Sequence, residues 1–359
     1  MKPNPVQQVG VTPIPNHTFP TTRTMPAPHP DTIQQLKDLQ RPVIYFAVAR
    51  LADSDQIYLG GSDFKVCSAD LGAAKFEPKE LYSHQSYVTG IALAGLNLVS
   101  GGYDGQLIWC DVETGQIIRT IPAHSKWIRK VVASPDGKLV ASVADDMVCR
   151  IWDAQTGQLV HELRGHKEQT PQHFGSMLHA VAFSPDGKLL ATGDKVAHVV
   201  IWDVASGQQL GSVDAPIMYT WDKVQRLHSI GGVRSLAFSP DGKHLAVGGT
   251  GKIGNIDHLE AKSRIEVFDW KAGKQLAEFV SDKQGIVNRL EWSACGSWLV
   301  GAGGAGEGFL LFYDVAARKA LRQDKLPMHT HDFHLSADGT ELICVGHNRI
   351  TVHRLGRVH

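Results

Sequence analysis

A histidine, a serine and an aspartate recur at nearly constant spacing in the first half of this chain. The sets are His84, Ser100 and Asp104, then His124, Ser142 and Asp146. An imidazole that takes a hydroxyl proton while a carboxylate orients it is the constellation of a nucleophilic serine hydrolase. A partial third set, His166 and Thr192, has Val196 where the carboxylate is expected. One catalytic centre needs one such set. Repetition in register assigns these residues to a repeated structural unit instead.

Three other groups invite chemistry. The stretch MHTHDFH holds His329, His331 and His334. On a strand, His329 and His331 point the same way and are placed to ligate a metal or a small molecule. GAGGAGEG, Gly301 to Gly308, has the composition of a phosphate-binding loop, but no helix N-terminus follows it. The basic trio Lys126, Arg129 and Lys130 reads as a solvated rim. Cys67, Cys110, Cys149, Cys295 and Cys344 are odd in number and contain no C-x-x-C pair, which predicts free thiols in a reducing compartment.

Composition narrows the classes further. Lys plus Arg and Asp plus Glu both number 36 in 359 residues, so no global charge marks a nucleic-acid or anionic-membrane partner. No apolar run approaches the roughly 20 residues of a membrane span. The first residues, MKPNPVQQVGVTPIPNHTF, lack an apolar signal core, and a cytoplasmic location is expected by elimination.

The elements that carry these residues are themselves repeated. SPDGK occurs at Ser134, Ser184 and Ser239, with weaker copies at Ser293 and Ser336. A β-branched run ending in aromatic–Asp or its relic closes at Asp70, Asp111, Asp153, Asp203, Asp269, Asp314 and Arg354. The spacings are 41, 42, 50, 66, 45 and 40, which makes seven units. Each unit parses as four strands joined by Gly-containing turns, as in WIRKVVAS, KLVASVA, VCRIWD and LVHEL. A row of such sheets leaves raw ends, and closing the row into a ring removes them.

On these residues the chain resembles the WD-repeat (Trp-Asp repeat) β-propeller family over about 32–355. The resemblance implies an all-β fold, a single seven-bladed β-propeller of four-stranded antiparallel blades. It also implies that His, Ser or Thr, Asp and Trp form a structural hydrogen-bonded network within a blade. The unit with His124, Ser142, Asp146 and Trp152 matches fully. The unit with His84, Ser100 and Asp104 has Cys110 in place of Trp, and the unit with His166, Thr192 and Trp202 lacks the Asp. The function implied is a non-enzymatic scaffold for protein–protein interaction, with a protein or peptide partner and no cofactor, nucleic acid or membrane. Its rival is a small-molecule or metal-binding propeller using the central channel near His329 and His331.

Only LGRVH follows Arg354, so the seventh unit lacks its fourth strand. Counting back from unit one assigns that strand to about Thr32–Leu39, an N-terminal strand that closes the ring. Residues 1–31 hold eight of the 17 prolines and form a separate arm, with 32–359 the propeller. Strand alternation puts the inserted segments Lys167–Met177, Ala215–Gly232, Thr250–Arg264 and Gly301–Gly308 on one face. Within them His173, Phe174, Tyr219, Trp221 and His258 are the expected partner-binding residues.

Overall fold

The repeated turns have a common chemistry. In the computed structural model, which describes residues 27–223, 227–254 and 261–357, Ser134 Oγ donates to Asp136 Oδ1 at 2.7 Å and accepts from Leu139 N at 2.9 Å. Gly137 sits at φ 69°, a left-handed conformation that a side chain would strain. Ser184–Asp186 and Ser239–Asp241 repeat the bond at 2.6 Å, with Gly187 and Gly242 at φ 70° and 68°. The aspartate that ends the third strand has an equally local task. Asp111, Asp153 and Asp203 each accept a backbone N–H three residues on, at 2.7–2.8 Å, and so set the next turn.

Five four-stranded antiparallel sheets follow in order: 88–122, 128–163, 178–214, 235–284 and 286–326. A two-stranded hairpin, Tyr219–Asp222 with His228–Gly231, lies between the third and fourth. The remaining sheet has six strands, in the order Thr330–Leu335, Glu341–Arg354, Gln34–Arg50, Gln56–Gly61, Lys65–Asp70 and Lys79–Ser83. The propeller therefore has six sheets, not the seven expected, and the seven sequence units are distributed over them. The reason is Gln34–Arg50, a 17-residue strand that runs without a break. Its first part pairs with Glu341–Arg354, from Gln34↔Arg354 to Gln40↔Arg349, and its second part pairs with Gln56–Gly61. The ring-closing segment thus begins at Gln34, after a 3-10 turn over Pro30–Thr32, and continues well past Leu39.

Innermost strands pack each on the next around the channel: Val88–Ala94, Ile128–Ala133, Leu178–Phe183, Ser235–Phe238, Ile286–Trp292 and Thr330–Leu335, which returns to the second part of Gln34–Arg50. Apolar clusters fill the spaces between sheets. Trp109 and Val99 meet Ile128 and Trp152, and Phe312 and Trp298 meet Leu342 and Cys344. Close approach demands glycine at some inner positions. A Cβ on Gly346 would overlap the His329 carbonyl.

The two ends of the described residues are clasped. Trp298 Nε1 donates to Pro28 O at 3.0 Å, and His29 N to Gly356 O at 3.0 Å. Residues 1–26, most of the expected arm, lie outside the described residues. Gly301–Gly308 is no long loop. Its first four residues belong to the strand Leu299–Gly304, and Gly308 starts the next strand, so only a tight turn remains. All five cysteines are free; four are buried, but Cys295, in a degenerate turn, is exposed.

Candidate functional site

The His124 set is assembled as a chain. His124 Nδ1 lies 3.1 Å from Asp146, its Nε2 lies 2.8 Å from Ser142 Oγ, and Trp152 Nε1 donates to that same oxygen at 3.0 Å. With the Nδ1 proton directed to Asp146, Nε2 accepts from the Ser142 hydroxyl. This is the order of a hydrolase triad, but Ser142 is 0% exposed and its oxygen is already occupied by the indole. No substrate carbonyl can reach it, so the set is a strut between strands. Burial alone would raise the Asp146 carboxyl, yet hydrogen bonds from His124 and Arg150 hold it well below the usual carboxylate range. Burial lowers His124 more than Asp146 raises it, and the imidazole stays neutral.

Two units depart from expectation in an instructive way. Cys110 supplies no indole, and the missing partner for Ser100 is Tyr82, on the preceding outer strand, with its hydroxyl 3.0 Å from Ser100 Oγ. His84 completes that set, 2.7 Å from Ser100 and 3.0 Å from Asp104. Where Val196 marks a missing aspartate, Asp194 replaces it, 2.9 Å from His166 Nδ1 and 1% exposed. His166 Nε2 and Trp202 Nε1 then meet on Thr192 Oγ1 at 2.8 and 2.9 Å. A carboxylate two residues after Thr192 was the available signal.

The inserted segments on the loop face meet one another. Phe174 and Trp221 rings lie 5.4 Å apart, and the Tyr219 hydroxyl donates to Gln172 at 2.5 Å. Ile253 N donates to Thr220 Oγ1 at 2.9 Å, which joins the third insertion to the hairpin. Phe174 is 49% exposed, His173 is exposed with φ 64°, and Tyr219 and Trp221 are half-buried. His258 lies outside the described residues.

A second aromatic group on this face was missed by sequence reasoning. Phe64, Tyr87, Tyr103 and Trp127 form an arc along the channel rim, with successive centroids 5.6, 5.7 and 4.4 Å apart. Tyr103 and Trp127 are parallel within 3°, and Arg129 lies over both rings at 5.0 and 5.2 Å. The arc residues sit in four strand-to-strand connections spread over three successive units, so no local pattern connects them.

Arg129 and Lys130 are not part of a solvated rim. They turn into the channel, where Arg129 makes a two-pronged pair with Asp145 at 2.6 and 2.7 Å and Lys130 pairs with Asp332 at 2.9 Å. Only Lys126 of that trio is exposed. His329, His331 and His347 gather at the channel mouth, each with one nitrogen within 4.8 Å of the others. Burial is the main cause that lowers all three; it takes His329 to about 4, and the neighbouring imidazoles add to it for His329 and His331. His334, the third histidine of MHTHDFH, lies apart from them, and burial lowers it to about 4.

Sheets of repeated sequence closed around a channel, braced by buried His–Ser/Thr–Asp–Trp sets, define a β-propeller repeat protein. Residues 115–153, 157–203 and 221–253 match the family model described as WD domain, G-beta repeat, so these stretches are WD repeats. It is 32% identical over 111 residues to Nuclear distribution protein PAC1 of Arthroderma otae, a match covering 26% of this chain and 24% of that protein. It is 35% identical over 99 residues to Nuclear distribution protein PAC1-2 of Uncinocarpus reesii, with 27% and 20% covered. Nuclear distribution protein nudF of Emericella nidulans is 30% identical over 123 residues, with 33% and 26% covered. The chain thus spans about a quarter of the length of the curated relatives it matches. Among the described residues no helix is long and apolar enough to cross a membrane.

Proposed function

We propose that the protein is a non-enzymatic scaffold that binds a protein or peptide partner in the cytoplasm, through the face that carries the inserted segments. The observation that carries this reading is the mutual contact of three insertions through Phe174, Trp221, Tyr219 and Thr220, which leaves an aromatic patch on a rigid ring. The buried state of Ser100, Ser142 and Thr192 supports the absence of a nucleophile in the blade sets. Relatives bearing the name nuclear distribution protein fit a scaffold; with only a quarter of their length matched, nothing narrower is carried over.

The six-stranded sheet reads best as two units fused along Gln34–Arg50, which restores a seven-unit ring within 32–359 and leaves 1–31 as an appended arm. Support comes from Tyr45, Ile57 and Leu59, which meet Ile343, Val345 and Ile350 between the two parts of that sheet, as successive sheets do elsewhere. Asn348, at φ 57°, marks a turn within Glu341–Arg354.

The test of the binding face is affinity capture with mass spectrometry, using wild type and Trp221→Ala. Trp221 is half-buried at the surface, so the variant is expected to keep the wild-type circular dichroism and lose the partner. Equal capture by a folded variant removes this patch as the contact surface.

A further inference from the structure

The channel mouth holds more positive charge than it neutralises. A cavity of about 290 Å³ opens there beneath the aromatic arc. Its lining includes Arg129, Lys130, Arg234, His179, His331 and Asn288, and no carboxylate. Arg129 and Lys130 have their partners, Asp145 and Asp332, outside that lining. Arg234 has no ion pair among the described residues: Asp145 acts on it only from beyond pairing distance, and its Nε is buried without a hydrogen-bond partner. His179 Nε2 and His331 Nε2 are buried and unpartnered in the same way, with His179 only 6% exposed. Lys195, 7% exposed, acts on both His179 and Arg234 with no ion pair of its own among the described residues. Buried donors left without acceptors destabilise the fold, and more so when charged.

The nearby histidine cluster raises the opposite possibility, a metal cation. The hydrogen bonding argues against it. Asn288 Nδ2 donates to His329 Nε2 at 2.9 Å and to Thr330 O at 2.8 Å, which fixes the amide and occupies that lone pair. The backbone of Ala305 also acts on His329. A divalent cation would also face Lys130, whose charge already acts on His331.

We propose that the channel mouth binds one compact oxyanion, a phosphate group, held between the Arg234 guanidinium, Arg129 and His179. A planar guanidinium pairs with such a group through two parallel N–H bonds, and His179 Nε2, protonated as the neutral tautomer, donates a third. The group arrives either as a free ion or on a peptide side chain entering under the aromatic arc. This inference does not rest on the partner-binding reading, and its test uses the protein alone.

Calorimetric titration at low ionic strength, with inorganic phosphate and with a short capped peptide bearing one phosphoserine, is the test. Wild type is expected to show saturable one-site binding of at least one probe, and the tighter probe identifies the source. Arg234→Met is expected to weaken it at least tenfold, while Lys188→Met on an exposed turn leaves it unchanged. In anion-free buffer Arg234→Met should melt at or above the wild-type temperature, because a half-buried guanidinium without an ion pair is removed; this shows that the variant folds. Absence of saturable binding by either probe, or equal affinity in folded Arg234→Met, overturns the proposal. So does stoichiometric zinc that is lost in His331→Ala, which would assign the mouth to a cation.

Discussion

A serine that looks catalytic is converted into a structural part by two features, its burial and a second hydrogen-bond partner. Ser142 receives the Trp152 indole and serves His124, so removing its oxygen strands both groups in the interior. Ser142→Ala should therefore cost about 1–3 kcal/mol in urea unfolding, the range for buried groups left unpaired. Ser206→Ala, at an exposed turn, should cost less than about 0.5 kcal/mol. Similar midpoints for the two variants would refute the strut role. The same logic explains how the repeat drifts in sequence without losing its bracing. Tyr82 and Asp194 supply a hydroxyl and a carboxylate from different backbone positions, because the network requires a donor and a charge at a point in space rather than at a sequence number.

Gln34–Arg50 is the element on which closure depends. Without its first part, Ile350 and Val352 lose their cross-strand neighbours Leu39 and Lys37, and Glu341–Arg354 becomes an open apolar edge. Amides of Lys37 to Gln40 are expected to exchange with deuterium as slowly as those of Val140 to Val143, which lie in a fully enclosed strand. Deletion of residues 1–40 should yield a protein that aggregates on mild heating. Fast exchange at 37–40 together with a soluble, unshifted deletion variant would show that closure lies elsewhere.

For the molecule as a whole, the buried imidazoles set the acid limit of stability. Burial is the main cause that lowers His124, His179, His329, His331, His334 and His353, and it takes His329, His334 and His353 to about 4. In the unfolded chain each titrates near 6.5. Below that pH the unfolded state binds protons that the folded state refuses, so stability is complete above about pH 6.5 and falls as pH drops toward about 4. Each such group contributes a slope of up to about 1.4 kcal/mol per pH unit in that window. In phosphate-free buffer the melting temperature should decline from pH 7 to 5, before the carboxylates of Asp104 and Asp146, held low by their hydrogen bonds, begin to protonate. A flat profile between pH 7 and 5 would contradict neutral buried histidines.

Local chemistry repeated along the chain was sufficient to determine the strands, their turns and the propeller class. Ser134, Asp136 and Gly137 act within five residues of one another, and each aspartate at a strand end acts within three. Such short-range signals survive in the sequence as a visible period. Closure through a segment near the other end of the chain was also legible, because the last unit lacked a strand. The grouping into six sheets was not, since it depends on one strand continuing unbroken from Gln34 to Arg50. Nor was the channel mouth, where Arg129, His179, Arg234 and His331 come from different inner strands or their edges. Each of those residues is unremarkable beside its own neighbours. Only the ring's curvature brings them together, and a charge is paired or unpaired by distance in space, which no spacing along the chain records.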